Sequence, residues 1–548
     1  QTEHNYIVKH NIDPKADTTG GGGGDAPEDA DLVTPNQIHK NQINKKTMKK
    51  KSAIIIAMHF FALTTFAQEN IESLLKQLCE DPVFAKQLSI TEPSELQAFY
   101  KDNNFQPVWH ENKAFQESFI EELRKATQYG LNPQDYHFDY LIQTNINQLE
   151  YELLCTHAML TYFSDFTSGC KPKTLAFNGI EYQNRSINTP QILHQNIKYG
   201  SFAKLLEKYQ VSSQHYKKAL ETYQQLLNAP DSLFIPTNLS KTLVENKGLQ
   251  QKLVFWKCIE SLSTYDSEII LTEALKQFQE KFNLESDGKL GTNTLKALNL
   301  GKSQLLNQLK YDLNYIRFLN AWKFPTYLWV NIPSAEFSMI EAQTKTLSMR
   351  VIVGNPKTPT PSLISTIKQC IFFPYWFVPS SITVKEMLPQ IQKDVNYLSN
   401  NSIQVLDQKW NVIDETTLPW SSFNAKNFPY KLRQVAGCDN SLGIVKFDFD
   451  NPFTVYLHDT NAKKLFQKGS RWLSHGCIRL EKPTELAEKL LGNPSLIQKL
   501  VTQQYEPDLK PIYFLVQPNV PLLISYLCSG INEKGDLIFY SDVYQKVR

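Results

Sequence analysis

Near residue 310 the apolar pattern of this 548-residue chain changes period, and one core cannot serve both halves. Ahead of it, apolar residues recur three and four apart. Glu72-Ser73-Leu74-Leu75-Lys76-Gln77-Leu78 and Ser118-Phe119-Ile120-Glu121-Glu122-Leu123 show this, and 151–166 is a more apolar run of the same kind. Beyond it, short β-branched or aromatic runs end at Gly, Pro or polar residues: 327–332, 337–340, 348–354, 371–379, 444–447 and 454–458. The expectation is a multidomain α+β protein. Residues 68–240 form a helical scaffold, 242–305 a small helical module, 310–515 a mainly β domain and 516–548 C-terminal strands. A long mixed stretch at about 381–428, briefly helical over 384–388, is expected to be an insertion capping the β domain.

The first residues have a different character. Residues 1–47 are polar, hold the run Gly20 to Gly24 and an acidic patch, and are expected to be a disordered extension ahead of a start at Met48. Lys49-Lys50-Lys51, the apolar 53–66 and Thr65-Phe66-Ala67 over 48–67 read as a secretory signal peptide, too short for a comfortable membrane span of about 20 residues. Export to the periplasm or cell envelope is expected.

The small module is expected to pack Leu271, Ala274, Leu275, Phe278 and Phe282 along one helical face. Asp287-Gly288 then makes a turn, and Thr292 caps a second helix through Leu298. A formal net charge of +2 gives no footing for nucleic-acid binding. The eight cysteines show no CxxC spacing, no His/Cys/Asp/Glu cluster has metal spacing, and no phosphate loop occurs, so no metal or cofactor is expected.

Chemistry concentrates in Ser474-His475-Gly476-Cys477-Ile478-Arg479-Leu480. A cysteine attacks carbonyls as thiolate and needs a base or a field to become one. His458, nineteen residues upstream in Tyr456-Leu457-His458-Asp459-Thr460, is the candidate base for Cys477. Gly476 permits a tight loop whose N–H groups, with those of His475 and Cys477, are candidates to hold an oxyanion.

These residues resemble the signature of the L,D-transpeptidase family: a histidine, about fifteen residues, then Ser/Thr-His-Gly-Cys, an aliphatic residue and often Arg. Fifteen residues separate His458 from Ser474 here. The resemblance extends to the large periplasmic subfamily through Val330-Asn331-Ile332-Pro333, Val351-Ile352-Val353-Gly354, Thr360-Pro361, Pro374-Tyr375-Trp376 and the stretch 440–447. Leu96-Gln97-Ala98-Phe99-Tyr100 and Gly130-Leu131-Asn132-Pro133 carry it into the scaffold. Phe278-Gln279, Asp287-Gly288, Gly291 and Thr294 resemble a three-helix peptidoglycan-binding module. Phe373, Cys438 and Ser441 depart from the subfamily, where Asn, Pro and Ala are usual.

The resemblance implies a peptidoglycan tetrapeptide stem as substrate, attack by Cys477 at its third residue, loss of the fourth as D-Ala, and aminolysis of the thioester into a cross-link. It makes peptidoglycan stem peptides and glycan the partners, with other cell-wall enzymes beside them. In this scheme Arg479, Tyr456 and Trp376 bind substrate, or serve only to orient loop and core. Three outcomes stay open: a cross-linking transpeptidase, an enzyme passing the same thioester to water or a protein amine, and a non-catalytic wall-binding protein.

Overall fold

The computed structural model describes residues 71–109, 111–143, 147–180, 187–198, 200–237, 242–261, 267–322, 324–503 and 509–547. The expected extension at 1–47 and signal peptide at 48–67 lie outside them. The described residues fall into two compact units: those within 71–170 and 187–212, and those within 171–180 and 213–547.

In the first unit the helix Gln148–Ser168 is buried on nearly every side, as an all-round apolar helix must be. Asn147 caps it by accepting from the Leu149 and Glu150 N–H groups. Around it pack Pro93–Lys101, Lys113–Arg124, Thr189–Asn196 and Phe202–Tyr209, with Phe99, Phe119, Tyr162, Phe163 and Phe202 in one apolar cluster. Two charged or titratable groups caught in this core are paired. Glu152 accepts from the Val108 N–H at 2.6 Å and the Tyr100 hydroxyl at 2.8 Å. Nδ1 of His157 lies 2.9 Å from Nε2 of His137, and its Nε2 reaches the Thr91 backbone, 2.9 Å from the carbonyl oxygen.

In the second unit, the helices Lys247–Phe255, Glu268–Lys281 and Thr292–Leu298 form the small module. Leu271, Ala274, Leu275, Phe278 and Phe282 are buried as their spacing predicts. Gln279, also buried, joins the parts: its side-chain NH2 donates to Asp287 Oδ1 at 2.8 Å and Thr294 Oγ1 at 3.0 Å, and its Oε1 accepts the Gly288 N–H at 2.8 Å. Thr292 does not cap the last helix. It is the first helical residue, Gly291 takes the cap position, and no side chain accepts there.

The strands among the described residues are β1 (Leu175–Asn178), β2 (Thr326–Asn331), β3 (Glu336–Glu341), β4 (Thr344–Gly354), β5 (Ser362–Phe372), β6 (Trp376–Phe377), β7 (Ile403–Leu406), β8 (Val412–Ile413), β9 (Lys431–Gln434), β10 (Val445–Phe449), β11 (Leu457–His458), β12 (Trp472–Ser474), β13 (Ile478–Leu480), β14 (Ile512–Ser525), β15 (Ser529–Ile531) and β16 (Leu537–Phe539). The main sheet runs β5-β10-β11-β13-β4-β3-β2-β14, and β14 pairs again with β5, so the strands close into a ring. The domain boundary expected at 515 therefore falls inside a strand that completes the sheet. Likewise β1, from a stretch expected to be helical scaffold, adds in parallel to β5.

Alternation along the strands sorts their side chains. Cys370, Phe372, Val445, Phe447, Leu457, Ile478 and Leu480 join an apolar core, with Leu486, Leu490, Ile497 and Leu500 from the helices Pro483–Leu491 and Pro494–Thr502. The intervening residues Lys446, Asp448, His458 and Arg479 take the other face, while Tyr456 and Cys477, each just ahead of a strand, pack against the rim of the core. Between β5 and β10 the insertion folds as a lobe, with sheet β6-β9-β7-β8 and a core of Leu388, Ile391, Leu398, Val405, Trp420 and Leu432. Its expected helical stretch holds one π-helical turn, Thr383–Met387.

Candidate active site

The loop between β12 and β13 presents Cys477, and four groups fix its shape. The Ser474 hydroxyl donates to the Cys477 carbonyl at 2.6 Å and accepts the Gly476 N–H at 3.1 Å. Asn355 donates its backbone N–H (2.9 Å) and its side-chain NH2 (3.1 Å) to the Ser474 carbonyl. Thr358 adds a hydroxyl to the same oxygen at 3.2 Å. The Thr360 hydroxyl accepts from the Gly354 N–H at 2.8 Å and donates to the Gly476 carbonyl at 2.7 Å. Gly476 has φ +118, a conformation for which a β-carbon is unsuited although space for one exists. Gly354 is glycine for room: a Cβ there would stand 2.2 Å from the Thr358 carbonyl oxygen.

One expected oxyanion donor is thereby excluded. The Gly476 N–H is spent on Ser474, whereas those of His475 and Cys477 make no hydrogen bond among the described residues.

Register brings the remaining groups together. On parallel β11 and β13, His458 pairs with Arg479; on antiparallel β10 and β11, Lys446 pairs with His458. Tyr456 is the cross-strand neighbour of the nucleophile: the Ile478 N–H donates to the Tyr456 carbonyl at 3.0 Å, and the Tyr456 backbone and hydroxyl favour the charged form of the thiol. No hydrogen bond links Cys477 to His458 among the described residues. The Tyr456 and His458 rings meet edge to face, centroids 5.5 Å apart.

The electrostatics follow from burial. Desolvation pushes the Cys477 thiol above its usual range, against the Tyr456 hydrogen bonds and the Lys446 and Arg479 cations. His458, 4 % exposed, is pushed down to about 3, chiefly by burial and then by Arg479; Lys446 and Lys463 add to this and the Asp459 backbone opposes it. Thiol and imidazole are both neutral at rest. His458 Nδ1 and Arg479 Nε are buried without hydrogen-bond partners among the described residues. Asp459 cannot serve the ring with its carboxylate, which accepts the Ile444 N–H at 2.9 Å and pairs with Lys463.

Residues 325–502 match the model of the L,D-transpeptidase catalytic domain. The β domain belongs to the L,D-transpeptidase family. Residues 94–222 match a scaffold domain and 249–298 a "Putative peptidoglycan binding domain". A Haemophilus influenzae protein named "Putative L,D-transpeptidase" is 33% identical over 238 residues, 43% of this chain and 47% of that protein, so the chain spans about half of that curated relative. Solved L,D-transpeptidases from Mycobacterium smegmatis and Stackebrandtia nassauensis overlay 37% and 50% of the chain (58% and 88% of theirs) at 15% and 13% identity. Their TM-scores are 0.17 and 0.18.

Within this L,D-transpeptidase domain His475 turns away from the nucleophile face. Its Nε2 meets Glu386 Oε1 of the capping lobe at 2.8 Å, both side chains about half exposed. Lys446, Asp448 and Glu386 were absent from the residues singled out in the sequence. The alternation Val445-Lys446-Phe447-Asp448-Phe449 marks a polar strand face, but only pairing register shows whose neighbour it is. No group of three metal-ligating side chains occurs among the described residues, and no described helix is long and apolar enough to cross a membrane.

Proposed function

We propose that the chain is a cysteine-dependent L,D-transpeptidase acting on peptidoglycan stem peptides in the cell envelope. One observation carries this reading: β11, β13 and the loop before β13 bring together a thiol, a buried imidazole with an open Nδ1 and a partly buried guanidinium whose Nε has no hydrogen-bond partner among the described residues. Such groups are poised for a ligand, because unsatisfied buried donors are costly unless something fills them.

Cys477 is the nucleophile. Its sulfur attacks the carbonyl of the third stem residue, and the negative charge gathers on the carbonyl oxygen, for which the free N–H groups of His475 and Cys477 are the donors. The thiol proton passes to His458 and then to the departing amine of D-Ala, leaving a thioester. An amine of a second stem attacks the thioester, gives its proton to His458 and restores the thiol. The Asp459 carbonyl is the group that orients the ring, and Arg479 takes a stem carboxylate, which its planar fork suits. Because thiol and imidazole are neutral at rest, ion-pair formation awaits a bound substrate that excludes water. Catalytic hydrogen bonds often tighten only at that stage. The capping lobe is the lid, and the small module holds the polymer.

Purified mature protein incubated with tetrapeptide stems and read by mass spectrometry tests this. Cross-linked dimers with loss of D-Ala are expected. Tripeptides alone point to transfer to water, and undiminished turnover by Cys477→Ala would sink the reading.

A further inference from the structure

Lys446 has no role in the mechanism above, yet it stands in the middle of the reactive face. Its register partner is His458. Its Nζ lies 4.2 Å from the centroid of the Tyr456 ring and 2.9 Å from Asp448 Oδ1. Asp448 is in turn 3.4 Å from the Gln369 side-chain nitrogen. We infer that Lys446 is a positioning residue: its ammonium, braced by Asp448, fixes the Tyr456 ring and makes the phenol a stronger hydrogen-bond donor to the Cys477 sulfur.

The chemistry runs through the ring. A cation over an aromatic face is attracted to the π-cloud, by about 0.5–1 kcal/mol where exposed and ~2 kcal/mol or more where water is excluded. Here the lysine and Asp448 side chains are 21% and 30% exposed, a partly desolvated setting. Drawing electron density toward the ammonium leaves the phenol proton more acidic. The Trp376 indole also bears on the phenol and favours its charged form. A stronger donor favours thiolate over thiol, because it pairs best with the charged form. Other charges bear on the thiol too. Arg479, on the strand that follows Cys477, adds a second cation; Asp448, on the lysine's own strand, offsets the first; His458 of β11 and Tyr456 just ahead of it are the other titratable groups. Lys446 is set apart as the cation that lies over the Tyr456 ring.

The inference rests on Cys477 as the reactive thiol, and its test needs no stem peptide. Full-length protein is alkylated with iodoacetamide across pH 6 to 10, and the peptide bearing Cys477 is quantified by mass spectrometry. Lys446→Met is expected to move the alkylation midpoint up by about one pH unit, roughly tenfold slower alkylation near neutrality. Lys446→Arg, which keeps a cation over the ring, is expected to recover most of that rate, and Asp448→Asn to move the midpoint downward. A Lys446→Met profile superimposed on the native one overturns the inference, as does a Lys446→Arg profile no better than that of Lys446→Met. Failure of the transpeptidase reading shows separately, as stem turnover that survives Cys477→Ala.

Discussion

His157 and His458 are both buried, both have a pKa pushed down to about 3 by desolvation, and both sit among aromatic neighbours. They differ in what their nitrogens touch. His157 is satisfied at both, by His137 and by Thr91, whereas His458 Nδ1 is buried and open. A perturbed titration alone therefore does not mark a site. It records burial, and burial serves a core as readily as a reaction. What separates the two is unmet hydrogen-bonding capacity beside a nucleophile, which a folded core avoids because each such group costs about 1–3 kcal/mol.

The largest effect that bears on this contrast is catalytic. His458→Gln is expected to lower stem turnover by about 10²–10⁴-fold, the usual weight of a general base, while leaving the thermal midpoint unchanged or raised. A large loss of stability with turnover retained would reverse the assignment of the two histidines. Acid titration ranks next. Each ring is neutral in the fold and gains a proton on unfolding below about pH 6.5, so stability is held above that pH and falls as pH drops toward 3. His137, pushed down to about 4, adds in the same direction. Urea midpoints measured from pH 7 to 4 are expected to fall more steeply in the native chain than in His157→Gln or His458→Gln. Third, His157→Ala is expected to remove about 2–3 kcal/mol of stability by stranding His137 and the Thr91 backbone, with Cys477 alkylation unaltered. Smallest is His475→Gln. Its contact with Glu386 is half exposed, so a change below about 1 kcal/mol is expected, and stem turnover reports whether the capping lobe depends on it.

Much of this was readable before any coordinates. The change of period near 310 separated helices from strands because side-chain spacing follows backbone geometry. His458 and Arg479 stand side by side because β11 and β13 pair in parallel, with Tyr456 and Cys477 leading into those strands. Legibility stopped where distant segments meet. Lys446 joins the site through register, and Glu386 through the folding of an insertion 89 residues ahead of its partner. The Gly476 N–H stands among three candidate oxyanion donors in the sequence because nothing there shows that the Ser474 hydroxyl claims it. Strand β1 escaped notice since four residues of Leu-Ala-Phe-Asn carry too little pattern to stand against the helices on either side.

The closure of the sheet by β14 has a kinetic meaning. Trp329 and Ser525, 196 residues apart, are joined by a hydrogen bond at that seam, and β14 zips onto both β2 and β5. Contacts so remote in sequence pay a long loop-closure entropy before they return anything, so this domain is expected to fold slowly. Until residues 512–525 dock, β2 and β5 keep open edges that can pair with other chains. A chain cut ahead of that strand is expected to aggregate with Cys477 on display, so productive folding and a protected thiol arrive in the same late step.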